Sequence, residues 1–296
     1  MAATLVACSG GGAHLVPPAG LTAPETAESW LQPDASALLY VSDPSGGDVA
    51  FYSYPYGKLV GRITNFYHAG GMCVSKSGNV FIAAQDGEQV RMYAHGGTKI
   101  MRTLTDPGYY PLGCAIDPVT GDLAVTSYTG TKNHGSLAIY SQAMGSPKVH
   151  FDVNIPHMLY CGYDSAGNLF LDGSTSKGAV LVGELAKGGT TIHTIPLDQT
   201  IAHGGGVQWD GTYLAVGDVS ASVIYRFKIA SGKGTKAGSV PLSGSTFVQE
   251  FWIAGSRVIA PDYASGKVRF YKYPAGGSAT KIIAGFTGPQ AATVSE

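Results

Sequence analysis

Tyr160-Cys161-Gly162-Tyr163-Asp164, followed by Gly167-Asn168-Leu169-Phe170-Leu171-Asp172, reads as an apolar run, a tight polar turn and a second apolar run. The same phrase returns along the chain. It recurs as Cys73-Val74-Ser75 with Gly78-Asn79-Val80-Phe81-Ile82, and as Ala115-Ile116-Asp117 with Gly121-Asp122-Leu123-Ala124-Val125. Further copies are Gln208-Trp209-Asp210-Gly211-Thr212-Tyr213-Leu214 and the weaker Trp252-Ile253-Ala254-Gly255-Ser256-Arg257-Val258. Gly and Asn at the turn supply the left-handed backbone angles that a short hairpin needs. A phrase repeated at a fixed spacing means a repeat architecture, in which each unit buries its apolar face only against its neighbours.

Working outward, the repeats divide at 38–79, 80–122, 123–168, 169–212, 213–256 and 257–296. The first contains the strands Leu39-Tyr40-Val41-Ser42, Val49-Ala50-Phe51-Tyr52-Ser53 and Leu59-Val60-Gly61-Arg62. A fourth, Gly71 to Ser75, runs into the next unit. Four strands in roughly 40 to 45 residues mark a propeller blade. The spacing therefore predicts an all-β, six-bladed β-propeller with four antiparallel strands per blade. The chain enters on a second strand and ends on Ala291-Ala292-Thr293-Val294-Ser295, which aligns with the first strands. The C-terminal strand is thus expected innermost in the first blade, closing the ring and removing an open edge.

Composition fits many short strands and narrows function. The 296 residues include 42 glycines and 17 tyrosines, 13% are charged, and the formal net charge is -1. No basic stripe is present to neutralise phosphates, which argues against nucleic acid. No apolar run approaches the roughly 20 residues of a membrane-spanning helix. Leu5-Val6-Ala7-Cys8, followed by Ser9-Gly10-Gly11-Gly12, resembles a bacterial lipoprotein signal. That resemblance implies a lipid anchor at Cys8 and a bacterial cell-envelope or secreted location. Residues 1–30 read as this tail with a Gly/Pro linker, including a short helix over Ala23 to Leu31, and residues 31–296 as one domain. Cys73, Cys114 and Cys161 remain; their odd number gives no closed disulfide framework, and each is expected as a small buried apolar residue. Cys114 and Cys161 share a register, which leaves a bridge between neighbouring repeats open.

Gly204-Gly205-Gly206-Val207-Gln208-Trp209-Asp210, followed by Leu214-Ala215-Val216-Gly217-Asp218, resembles NHL-type propeller repeats. The wider resemblance, over about residues 38 to 296, is to the six-bladed gluconolactonase, streptogramin-lyase and amidating-lyase group.

Aligned on the residue seven before the hairpin turn, the repeats give a column of His68, Tyr110, His157, His203, Phe247 and Gly288. Three of the eight histidines share it. This column opens the innermost strands, so its members should converge at one end of the central channel. The ends of the second strands return to the same face. They carry Asp43, Asp218 and Asp262 in one register, with Asp172 one residue earlier. Tyr128 to Gly135 is an insertion able to wall that mouth. Three imidazoles around an open position are the donor set of catalytic zinc, whose bound water becomes a nucleophile near neutral pH. The expectation is zinc, or another divalent metal, on His68, His157 and His203. Asp218, Asp262 and Glu250 are the candidate bases, and Tyr110 a proton donor or oxyanion ligand.

The reaction expected is hydrolysis of an activated ester, such as a phosphoester or lactone, of a small-molecule substrate by a monomer. The order His, Tyr, His, His also resembles the zinc site of peptide amidating lyases, which implies lyase chemistry. Two alternatives need no metal. The histidines can be polar channel residues satisfied by backbone and water, with the carboxylates capping loop N–H groups. The propeller can also be a surface-anchored binding module for a sugar, peptide or protein, with Tyr109, Tyr110 and Tyr160 stacking on the ligand.

Overall fold

The computed structural model describes residues 37–106, 108–130 and 133–296. The lipoprotein-like start, Cys8 and the helix expected over Ala23 to Leu31 lie outside the described residues. Alternating apolar and polar residues between Gly-bearing turns form 24 strands in chain order. The first three are β1 (Leu38–Asp43), β2 (Asp48–Ser53) and β3 (Leu59–Ile63). Next come β4 (Ala69–Val74), β5 (Val80–Ala84), β6 (Gln89–Tyr93) and β7 (Ile100–Thr105). They are followed by β8 (Tyr109–Ile116), β9 (Leu123–Gly130), β10 (Ser136–Tyr140) and β11 (Lys148–His150). The fourth group is β12 (His157–Tyr163), β13 (Leu169–Ser174), β14 (Val180–Leu185) and β15 (Ile192–Ile195). Then come β16 (Gly204–Trp209), β17 (Leu214–Asp218), β18 (Val223–Ala230) and β19 (Lys233–Ser243). The last are β20 (Trp252–Ala254), β21 (Arg257–Asp262), β22 (Lys267–Lys272), β23 (Gly276–Ala284) and β24 (Ala291–Ser295).

Four sheets have four strands each, in the orders β24-β1-β2-β3, β4-β5-β6-β7, β8-β9-β10-β11 and β12-β13-β14-β15. The arrangement is a β-propeller built from such blades, with the opening hairpin phrase as the β12–β13 pair. The C-terminal strand sits where the sequence placed it, with Leu38 opposite Ser295 and Ser42 opposite Ala291. One detail departs from separate blades. β16 to β19 and β20 to β23 form one eight-stranded sheet. β19 and β23 meet in parallel at Leu242–Gly277 and Ser243–Ser278. These outer strands are 11 and 9 residues long, so they overrun their own sheets and touch at the rim.

The hydrophobic core lies between sheets rather than within one. Tyr40 and Phe51 of the first sheet pack with Met72, Ile82 and Tyr93 of the next. The clasp is covered likewise, with Val294 and Ala292 against Ile259 and Phe270. Towards the channel the strands come too close for side chains. A Cβ on Gly71 would fall 2.7 Å from the Leu112 carbonyl, and one on Gly113 2.9 Å from the Leu159 carbonyl. Glycine at these positions is required by the approach of neighbouring backbones.

The cysteines correct the expectation of free thiols. Cys73 and Cys114 form a disulfide with Cα atoms 5.6 Å apart, and among the described residues Cys161 alone stays free and buried. Neighbouring inner strands are staggered, so the residue facing Cys114 lies one position nearer its own turn than the repeat alignment suggests. The bridge closes a sequence separation of 41 residues. Replacing both Cys73 and Cys114 by Ala is expected to lower the unfolding free energy by about 2 to 4 kcal/mol. Denaturant titration checks this, and an unchanged midpoint would refute the link between the two strands.

Candidate functional site

The residues that open the inner strands gather around a cavity of about 710 Å³ at one end of the channel. His68, Tyr110, His203 and Phe247 line it, together with Tyr128 and Tyr263 from the ends of second strands. The inward-facing residues two positions further along contribute Leu112, Leu159, Gln249 and Gln290. Sequence reasoning missed the glutamines. The signal was there, because strand side chains repeat every two residues and the position two after each column member faces the same way.

Aromatic edges and faces set the wall. Tyr67 is 73% exposed and meets His68 edge-on at 4.7 Å. His203 meets Phe247 at 6.1 Å nearly perpendicular, and Phe247 meets Tyr263 at 6.1 Å with their planes inclined by 63°. The Tyr263 hydroxyl lies 3.0 Å from the Ser45 hydroxyl, so the wall is stitched to the first sheet. His157 stands apart. Its ring stacks on Tyr128 at 4.8 Å and its Nδ1 donates to the Tyr128 carbonyl at 3.2 Å. It is absent from the lining, although Tyr128 itself lines the cavity.

Zinc coordination needs three ring nitrogens within about 2.1 Å of one point. Among the described residues no group of three or more His, Cys, Asp or Glu is placed to hold a metal. His68 and His203 share the cavity while His157 is held by Tyr128, so the three-imidazole set is not assembled in this arrangement.

The aspartate register occupies the face the strand directions dictate, and its oxygens are spent on the backbone. Asp218 accepts from the N–H groups of Ala202 at 2.9 Å and His203 at 3.4 Å, and from Ser220 and Ala221. Asp262 accepts from the N–H groups of Thr246 and Phe247 and from Arg269. Burial alone would raise its pKa, but Ser265, the Phe247 and Thr246 donors and the Arg269 charge hold it below the usual carboxylate value. Asp43 takes the N–H groups of Thr287 and Gly288 in the same way. Each of the three therefore clamps a member of the column that forms the mouth.

Glu250 faces elsewhere. It follows Gln249 by one residue and lines a separate cavity, at the turn end of the inner strands. It is 8% exposed, and its Oε2 has no hydrogen-bond partner. Burial, and secondarily the Asp172 charge, push its pKa well up. Asp172 is wholly buried and accepts from the Tyr160 N–H at 2.9 Å, while its Oδ2 is unpartnered. Burial raises its pKa to about 7 against the Tyr160 hydrogen bond, which lowers it.

No family model matches this chain, and no curated protein matches it. Solved structures do. A crystal structure of a nidogen/laminin complex superposes with a TM-score of 0.72 at 12% identity, over 88% of this chain and 98% of that one. A protein of unknown function from Bacteroides caccae superposes with a TM-score of 0.67 at 12% identity, over 88% of this chain and 99% of that one. These likenesses show the shared β-propeller fold.

The buried Asp172 sets a pH dependence. Its folded pKa of about 7 lies above the ordinary 3.8. Its contribution is thus fully favourable below pH 3.8 and is lost as pH rises through about 7. The difference amounts to roughly 4 kcal/mol. Asp172→Asn keeps an acceptor for the Tyr160 N–H and removes the charge. The variant is expected to be the more stable protein at alkaline pH and the two to converge in acid, as read by denaturation across pH. Parallel curves would show that Asp172 is not a buried titrating group.

Proposed function

We propose that this protein is a six-bladed, NHL-type propeller that binds a neutral carbohydrate in the aromatic cavity at one mouth of its channel. The count of six is supported by taking the two halves of the eight-stranded sheet separately, and by six hydrophobic clusters between sheets. One observation carries the ligand class. The described lining pairs aromatic rings and imidazoles with carboxamides and hydroxyls, and includes no Asp, Glu, Lys or Arg. Tyr110, Phe247 and Tyr263 offer flat faces to the C–H side of a sugar ring. Gln85, Gln249 and Gln290 each bring a donor and an acceptor, matching hydroxyls that both give and receive hydrogen bonds. A cavity of about 710 Å³ holds a ligand of a few rings. A lipid on Cys8 would tether the domain at the bacterial envelope, where such ligands are met.

A second reading keeps the metal-dependent hydrolase, with lyase chemistry beside it. It is favoured by His68 and His203 sharing one cavity with Tyr110. Under this reading His157 leaves its stack on Tyr128 and completes a zinc site. Stoichiometric zinc in the purified protein, lost in His203→Ala, would support it. Metal-free protein in which His157→Ala changes no turnover would remove it.

The binding reading is tested with a panel of neutral oligosaccharides and calorimetry. Tyr110→Ala or Phe247→Ala is expected to weaken the best ligand by about tenfold, equal to about 1.4 kcal/mol, with the melting temperature little changed for the exposed Tyr110. Binding by none of the panel, or equal affinity in both variants, would overturn it.

A further inference from the structure

At the turn end of the inner strands the channel opens into a second cavity of about 370 Å³. Its character is opposite to that of the aromatic, uncharged mouth. Trp209, Trp252, Phe251 and the Cys73–Cys114 bridge form an apolar funnel, and Glu250 also lines it. Glycine makes room for this carboxyl. A Cβ on Gly71 would lie 2.8 Å from Glu250 Oε2.

Two of the lining residues bury polar atoms without a partner, Glu250 Oε2 and the indole Nε1 of Trp209, and outside the lining Asp172 Oδ2 is likewise unpartnered. An unpaired carboxyl in an apolar surround is costly, and two that feel each other cannot both ionise freely. The described lining contains no Lys or Arg to neutralise them. The other lining carboxylate, Asp164, is occupied by its own turn, accepting from the N–H groups of Ala166 and Asn168 and from the Asn168 amide. The site therefore lacks a positive charge that brings N–H donors.

A divalent metal does not meet that need, because no three ligating side chains converge among the described residues. An organic cation does. Its charged end offers several N–H donors to the carboxyls, and its body displaces water from the indole and phenyl walls. We propose that this funnel binds a primary ammonium ion carrying an aromatic or aliphatic body, with Glu250 as counter-ion and Trp209 and Trp252 enclosing the body. The ammonium competes with the proton on Glu250, so binding tightens as pH rises. Tyr160 and Cys161, which also face these carboxyls, are held neutral by burial.

The test uses the full chain, with 2-phenylethylamine as probe and 2-phenylethanol as its uncharged counterpart. Tryptophan fluorescence and calorimetry read the binding. The amine is expected to saturate a single site and to bind at least about tenfold more tightly than the alcohol. Glu250→Gln is expected to abolish that preference, while Tyr110→Ala at the other mouth leaves it intact. Should Glu250→Gln fail to fold, the amine-to-alcohol ratio and its rise with pH in the unaltered protein decide the matter. Equal binding of amine and alcohol, no saturable binding of either, or an unchanged preference in Glu250→Gln would overturn the proposal. So would stabilisation by calcium alone that chelation reverses and Glu250→Gln removes, since the site would then belong to a metal.

Discussion

The inner strands approach one another around the channel more closely than any side chain allows, and the rest of the molecule accommodates that approach. Gly71 lies against the Leu112 carbonyl, Gly113 against that of Leu159, Gly162 against that of Val207 and Gly205 against that of Gln249. Four successive inner strands, β4, β8, β12 and β16, thus each set a glycine against the backbone of the next unit. With the centre filled by backbone, apolar side chains are driven outward between the sheets, where the hydrophobic clusters lie. The price is a break in the regular ladder. The pairing of inner with second strand shifts register between Ala69 and Met72, Pro111 and Gly113, Met158 and Cys161, and Gly205 and Val207. A bulge at the same height in successive sheets re-aims the residues on either side of it. One group then faces the aromatic mouth and the other faces the funnel.

The mouth is held by the second strands. Asp43, Asp218 and Asp262 end those strands, and each reaches the N–H groups of the loop that precedes an inner strand. Hydrogen bonds to a charged acceptor contribute about 1.5 to 3 kcal/mol each where they are buried. Carboxylates so engaged position Gly288, His203 and Phe247 rather than move protons. The lining of the mouth therefore holds no carboxylate although aspartates stand directly behind it.

Much of this was legible in the sequence, because period and pattern are backbone properties. The recurring hairpin phrase located the blades, the stray final strand located the clasp, and the shared column placed His68, Tyr110 and His203 at one cavity. What escaped depended on the stagger between neighbouring strands, which no single repeat encodes. That stagger paired Cys73 with Cys114, whereas in the alignment it was Cys114 and Cys161 that shared a register. It depended also on side-chain direction. Glu250 sits one residue past Gln249, and this single step carries it to the other end of the channel. His157 shares its column with His203, yet the neighbouring Tyr128 supplies both a ring to stack on and a carbonyl to bond. Local chemistry outweighed position there.

The two ends of the channel can now be set against each other. Both are lined by the same strands, so their backbone scaffolds are alike and the contrast is one of side chains alone. At the aromatic mouth, the aspartates behind the wall are engaged by backbone N–H groups, and the lining groups are rings, amides and hydroxyls. At the funnel, the buried Glu250 Oε2 has been left without such a partner. An unpaired buried carboxyl is destabilising, and the repeat offers a ready remedy, since the equivalent position in other strands is Gly71 or Gly113. A fold that can place glycine there and instead carries a glutamate retains an unmet electrostatic demand at that point. Folding alone gives no reason for that demand; a cation entering the funnel does.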